Sequence, residues 1–194
     1  MRILIACEFS GIVRNAFIAK GHDAVSCDLL PTERPGPHIQ GDVLNVLGDG
    51  WDIMIAHPPC TYLSFAARPL WNRPGRAEKR VEAMAFFMQI WNAPIEQVCV
   101  ENPVGVPNSE FRKPDQIINP FNFGQPERKR TCLWLRGLPL LKHTDEVEPE
   151  KPDKVNHRGR GEYWHHREKR DGHTRSRTFQ GIADAMAEQW GGQP

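Results

Sequence analysis

Cys60 and Glu101 are the residues whose types and placement suit covalent chemistry. Cys60 follows Asp52–Ala56, where Ile53, Met54, Ile55 and Ala56 read as a short buried strand, and then two prolines, Pro58 and Pro59. A proline lacks a backbone N–H and fixes φ at about −65°, so the pair ends the strand and presents the cysteine on a loop at its carboxyl end. Open α/β sheets carry their chemistry on that edge. Glu101-Asn102-Pro103 ends a second strand, Gln97–Val100, so a parallel sheet places thiol and carboxylate on one edge. A lone cysteine is as readily a small buried residue. Beside an acid it suits attack on an electron-poor ring that must be protonated as it is attacked. Cytosine is such a ring: thiolate addition at C6 with protonation at N3 makes C5 an enamine carbon able to take an electrophilic methyl group.

These strand ends need a scaffold, and the chain alternates the elements that build one. Arg2–Ala6 reads as a strand, Cys7–Gly11 as a turn, and Val13–Lys20 as a helix with Val13, Ala16, Phe17 and Ile18 on one side. Asp23–Cys27 is a second strand ending in Asp28, and the proline-rich 31–38 is a loop. A βαβ opening with an acid at the second strand end suits an adenosine-containing ligand, because the acid can take ribose hydroxyls and the small Ser10-Gly11 turn admits close backbone approach. The GxGxxG spacing of dinucleotide folds is missing. Asp42, in Gly41-Asp42-Val43, is a second acid at a loop edge. Val81–Trp91 reads as a helix with Met84, Ala85, Phe87, Met88 and Trp91 packed on the sheet. Thr131–Leu135 is a strand and Gly181–Trp190 an amphipathic helix. Phe65–Arg80, carrying Arg68, Trp71, Arg73, Arg76 and Arg80, reads as either a lid or a solvated basic face.

The 194 residues fit one domain, and the formal net charge of +1 supplies no global attraction to nucleic acid. A local attraction exists. Between Lys154 and Arg177 there are eight Lys or Arg against three acids, with Tyr163 and Trp164 among them, a pattern suited to a nucleic-acid backbone and unstacked bases. Five widely spaced cysteines make no disulfide framework, and no leader-like pattern opens the sequence, so a cytoplasmic protein is expected. No run approaches the ~18 apolar residues of a membrane span. His157, His165, His166 and His173 lack a cysteine pair at zinc spacing, and no metal is expected.

The order and wording of these motifs resemble the DNA (cytosine-5) methyltransferases, which flip their target base from the helix. The resemblance implies an α/β, Rossmann-like, S-adenosylmethionine-dependent fold, a mostly parallel sheet with helices on both faces. It also implies Phe9, Ser10, Gly11, Asp28, Leu29, Asp42, Val43 and Pro58 at the cofactor, and Cys60 as nucleophile. Glu101 and Asn102 form the acid motif, and Arg128 and Arg130 look like the arginine pair that follows. Residues 177–190 are similar in position to the family's closing cofactor motif. The chain departs from the pattern at Val13-Arg14, where the family continues with glycine, and in the spacing of Gln125 before Arg128. About thirty-five residues, 138–172, stand where the family carries a target-recognition domain of a hundred or more. The expected organisation is thus a single catalytic domain, 1–194, with 138–176 a short basic insertion. DNA is expected to meet Lys154–Arg177 and the loop after Cys60, with a second copy of the chain or a partner protein as further sources of recognition. Two other readings remain open: an amino methyltransferase acting on cytosine N4 or adenine N6, which His57-Pro58-Pro59-Cys60 fits poorly, and a catalytically silent nucleic-acid-binding protein of the same fold.

Overall fold

The structure, a computed structural model, describes residues 1–152, 154–155, 161–162 and 176–192. Its strands are β1 (Arg2–Ala6), β2 (Asp23–Asp28), β3 (His38–Gln40), β4 (Ile53–Ala56), β5 (Gln97–Pro103), β6 (Gln116–Ile118) and β7 (Thr131–Arg136), with a separate ladder of β8 (Lys154–Val155) and β9 (Gly161–Glu162). The helices are α1 (Ile12–Ala19), α2 (Arg76–Trp91), α3 (Pro107–Glu110) and α4 (Gln180–Trp190). The main sheet has the order β3-β2-β1-β4-β5-β7-β6. β1 to β5 pair in parallel, whereas β7 pairs antiparallel with both β5 and β6. The single reversed strand therefore begins, at Thr131, on the same edge where β1, β2, β4 and β5 end. The fold is Rossmann-like.

Residue parity explains the layers. Ile3–Ala6, Ile53–Ala56, Val98–Val100 and Cys132–Leu135 are unbroken apolar runs within the central strands, and alternate side chains leave by opposite faces. Ile3, Ile5, Ile53, Ile55, Cys99, Leu133 and Leu135 meet α1 and α4 on one face, where Val13, Phe17, Ile182, Met186 and Trp190 are buried. Leu4, Ala6, Met54, Ala56, Val98, Val100, Cys132 and Trp134 meet α2 on the other, through Phe87 and Ile90. Trp134 packs edge-on to Phe87 at 5.3 Å between centroids and donates its indole N–H to the Arg112 carbonyl at 3.0 Å. The N-terminal turn closes on Gly11, whose φ of 69° is left-handed and whose missing Cβ would lie 2.5 Å from the Arg14 guanidinium.

Several elements extend beyond the sequence reading. β5 runs to Pro103, so Glu101 and Asn102 are ladder residues and not loop residues. α2 starts at Arg76, five residues before Val81, and covers the sheet less fully than its apolar spacing suggests: Ala85 is exposed, and Met84, Met88 and Trp91 are half-buried. Ile18 of α1 is also exposed. Phe65–Leu70 forms a 3-10 turn, which leaves 71–75 as the connection to α2. No described helix is long and apolar enough to cross a membrane. Of the expected basic insertion, Tyr163, Trp164 and the arginines at 158, 160, 167, 170 and 175 lie outside the described residues, as do His157, His165, His166 and His173.

His22 is buried beneath the end of α4, and neither ring nitrogen has a hydrogen-bond partner among the described residues. Burial, then the Met1 ammonium, lowers its pKa below the usual imidazole value. A base whose folded pKa is depressed binds fewer protons folded than unfolded, so its contribution is complete above the unfolded value and is lost as pH falls through the folded one. Urea unfolding should show the wild-type midpoint dropping between neutral and mildly acid pH, with a clearly smaller drop for His22→Leu. Equal drops would remove His22 as a source of acid sensitivity.

Candidate active site

The β4–β5 ladder builds the centre of the site. Ala56 is the register partner of Val100, so the next residues, His57 and Glu101, lie side by side where β4 ends. Their side chains meet: His57 Nδ1 lies 3.1 Å from Glu101 Oε2, and both groups are largely buried. One step on, Asn102 Nδ2 donates to the Pro58 carbonyl at 2.8 Å, fixing the start of the Pro-Pro-Cys loop from β5. Parity separates the two contacts. His57 and Glu101 lie on the α4 face, where Glu101 borders a narrow cleft with Lys129, Thr131, Phe179, Ile182 and Met186. Asn102 is buried on the α2 face.

Burial pushes the Glu101 carboxyl up, but the His57 hydrogen bond, the Lys129 ammonium and the His57 charge outweigh it and hold the carboxyl below its ordinary value. These neighbours favour the carboxylate, an acceptor, over the protonated acid. Desolvation alone would have favoured the protonated acid that the sequence reading assigned to it.

Cys60 is exposed at the head of its loop. Its carbonyl accepts from the backbone N–H groups of Leu63 (3.1 Å) and Ser64 (2.9 Å), which curls the chain into a turn immediately after the thiol. The same loop is clipped to the segment after β5: Phe65 N–H donates to Val104 O at 3.1 Å, and Val106 N–H to Leu63 O at 2.8 Å. Between these bonds lies Gly105, where a Cβ would stand 2.1 Å from the Leu63 carbonyl. Only glycine permits this approach. Beyond the turn, cations lie over aromatic rings: Arg76 over Tyr62 at 4.6 Å, Arg68 over Phe65 at 4.0 Å, and Arg80 over Trp71 at 4.7 Å. The segment is therefore a basic, aromatic surface beside the thiol.

The arginine pair is divided. Arg128 donates from Nε to the Glu150 carbonyl at 3.1 Å and lies 5.7 Å from the Phe121 ring, while Arg130 acts on Cys132. The residue of this segment next to Glu101 is Lys129, which alternation places between them. The sequence reading missed both Lys129 and His57.

Toward β1 the expected cofactor residues lie at the ends of four strands, β1, β2, β3 and β4. Phe9, Ser10, Val43 and Pro58 are buried, Asp42 is exposed, and Leu29 is 72% exposed, an uncovered apolar side chain next to Asp28. Asp28 Oδ1 accepts from Leu30 N–H at 2.9 Å, and Asp42 Oδ1 accepts from Leu44 N–H at 3.0 Å. Burial first, then the charges of Asp28 and Asp42 with Cys27, push the Cys7 thiol well above its usual value, so both acids face the end of β1. The strongest departure from expectation is Glu8. Its buried carboxylate accepts from Val13 N–H at 2.7 Å, Arg14 N–H at 3.3 Å and Ser10 Oγ–H at 3.0 Å. In dinucleotide-binding folds those first helical N–H groups take pyrophosphate. Here an internal carboxylate occupies them. Arg14, fully buried, uses its guanidinium on Ser26 Oγ (2.9 Å), the Arg34 carbonyl (2.7 Å) and the Pro35 carbonyl (3.1 Å), tying α1 to the loop after β2.

This strand order and reversed β7 form the Rossmann-like fold found in methyltransferases, and a solved structure shares it: the Entamoeba histolytica methyltransferase EhMeth superposes with a TM-score of 0.50 at 13% identity, over 76% of this chain and 57% of that one. The S. pombe Dnmt2 methyltransferase gives a TM-score of 0.45 at 16% identity, over 70% of this chain and 49% of that one. The chain spans about half the length of the structures it matches. No protein-family model matches it, and no curated protein sequence matches it.

Gly105 offers a test of how the thiol loop is held. Gly105→Ala must displace the Leu63 carbonyl, at a cost of about 1–3 kcal/mol for overpacking. Denaturant unfolding should record that loss, and alkylation of Cys60 by iodoacetamide should change rate as its turn shifts. A variant with unchanged stability and unchanged Cys60 alkylation would show that the clip does not hold the loop.

Proposed function

We propose that this chain is an S-adenosylmethionine-dependent DNA cytosine C5 methyltransferase that works through a covalent adduct between Cys60 and cytosine C6. The observation that supports the reading is the pairing of two strand ends: β4 leads through His57 and Pro58-Pro59 to Cys60, and β5 brings Glu101 to His57 and bonds Asn102 to the Pro58 carbonyl. An amino methyltransferase needs an acceptor at the first of these positions and no thiol. Here His57 is engaged with Glu101, and an exposed cysteine follows.

Asp28 and Leu29, Asp42 and Val43, and the Phe9-Ser10-Gly11 turn would hold the cofactor. The Asp28 and Asp42 carboxylates can accept from the hydroxyl groups of a nucleoside, and the Glu8 carboxylate at the start of α1 disfavours a phosphate. S-adenosylmethionine, when bound, supplies an electrophilic methyl group. The chain does the rest. Cys60 adds to C6, Glu101 meets the N3 and amino edge of the base, and Asn102 keeps the Pro-Pro-Cys loop at a fixed distance from β5. DNA would lie along the basic, aromatic segment after Cys60 and on Lys154–Arg177, whose phosphate contacts position the strand without reading its sequence.

DNA containing 5-fluorocytosine tests this directly, because fluorine at C5 blocks elimination after methyl transfer and leaves the adduct in place. The wild-type protein should form a denaturation-resistant, cofactor-dependent adduct, and Cys60→Ala should form none. Glu101→Gln should slow transfer to ordinary DNA by roughly 10²–10⁴-fold, the usual worth of acid–base assistance. Methyl transfer at a normal rate by Cys60→Ala would exclude the covalent route. Calorimetry on Asp42→Ala should show weaker S-adenosylmethionine binding; unchanged affinity would take Asp42 out of the site.

A further inference from the structure

The proposed reaction needs a proton at cytosine N3 as the C6–S bond forms, yet the surroundings of Glu101 favour its carboxylate over its acid. One titratable side chain hydrogen-bonds it. His57 stands directly across the ladder from Glu101, at the one position where its Nδ1 reaches the carboxylate, 3.1 Å away. The imidazole is 7% exposed and the carboxylate 17%. His57 Nε2 is buried with no hydrogen-bond partner among the described residues. A ring merely filling space has no need of a polar nitrogen there, since the unmet group costs free energy. The other charged and titratable groups around the pair are Lys129 before β7, Cys99 on β5 and Cys132 on β7, with Arg130 acting on Cys132. Among the described residues, it is His57 that hydrogen-bonds Glu101.

We propose that His57 is a positioning residue that stores the proton for Glu101, so that the His57–Glu101 pair, and not the carboxyl alone, is the acid of the reaction. This deepens the cytosine reading and rests on it. An imidazolium beside a carboxylate and an imidazole beside a carboxylic acid are one protonation state of the pair, with the proton on either side of a single hydrogen bond. When the base displaces water and meets Glu101, the proton moves from Nδ1 to the carboxylate and from there to N3, while the Cys60 thiolate adds to C6. After methyl transfer to C5, the C5 proton leaves to solvent water, the C6–S bond breaks and N3 returns its proton to the pair. The pair begins and ends with the same proton count, and the one proton released is that of C5.

The test compares wild type with His57→Gln, whose amide can donate to Glu101 but carries no proton to transfer. Single-turnover adduct formation on 5-fluorocytosine DNA is measured across pH with saturating cofactor. The ratio of the two rates cancels the common ionisation of Cys60. The variant should be slower by about tenfold or more near neutral pH, with the gap closing to within about threefold in mild acid, where Glu101 can take its proton from solvent. A ratio independent of pH overturns the proposal and leaves the covalent route intact. Absence of any adduct from the wild-type protein across the range overturns the cytosine reading and this one with it. A second measurement does not depend on turnover or on the variant's folding: long-range ¹H–¹⁵N spectra of the wild-type protein near neutral pH should show His57 protonated on both ring nitrogens. A neutral ring carrying its one proton on Nδ1, which beside a carboxylate leaves no proton to transfer, would also overturn the proposal.

Discussion

The parallel pairing of β4 with β5, in the register Ala56 to Val100, is the constraint on which the site depends. Side chains alternate along a strand, so a slip of one residue would exchange the two faces of β5 and send Glu101 to the α2 side. The register is held from both faces at once. Ile53, Ile55 and Cys99 are locked under α1 and α4, while Met54, Ala56, Val98 and Val100 are locked under α2. No alternative register satisfies two apolar layers. What reaches the edge at the ends of these strands is therefore set by packing several residues away: an imidazole beside a carboxylate on one face, an amide bonded to a proline carbonyl on the other.

Beyond the last paired residues, the backbone takes over from the side chains. The Cys60 loop cannot extend the sheet through Pro58 and Pro59, and its position comes instead from Asn102, from the Leu63 and Val104 hydrogen bonds, and from the empty space at Gly105. A loop held by backbone bonds at both sides of its reactive residue is pre-organised, which lowers the reorganisation needed when the substrate arrives. The first βα turn follows the same economy in a different way. Glu8 and Arg14 satisfy the helix start and the loop after β2 from inside the protein, so that turn is complete without a ligand.

The fold was legible because its strands are short apolar runs with proline or glycine at their ends, and because an acid or a thiol follows several of them. Cys60, Glu101 and Asn102 could be placed on one edge from order alone. The pairing of His57 with Glu101 could not, since it depends on register, and register depends on packing partners that no local pattern shows. The same reason hid Lys129: alternation before β7 decides whether an odd or an even residue faces Glu101, and Arg128-Lys129-Arg130 offers a cation in every position. Glu8 was missed because a buried carboxylate among apolar residues has no periodicity; only the N–H groups of the following helix explain it. The extent of α2 was underestimated because Arg76–Arg80 is polar, and a helix with a half-exposed face needs no apolar stripe over its first turn.

Charge is unevenly spread along the carboxyl edge of the sheet. The half formed by β1, β2 and β3 carries Glu8, Asp28 and Asp42 with Arg14 and Arg34, while the half around β4, β5 and β7 carries Lys129, Arg130 and the Arg68, Arg76, Lys79 and Arg80 of the segment after Cys60, with Glu101. A net charge of +1 conceals this separation. Each of those cations that stacks on an aromatic ring does so for only about 0.5–1 kcal/mol at an exposed site, so the stacks orient the guanidinium groups without committing them. Under the proposed function, the two reactants have opposite charge: a sulfonium cofactor is cationic and a nucleic-acid strand is anionic. Each is drawn to the half of opposite sign and repelled from the other. The line between the halves runs between β1 and β4, close to the Pro58 to Cys60 loop, so the boundary of the two fields and the place where the reactants must meet coincide.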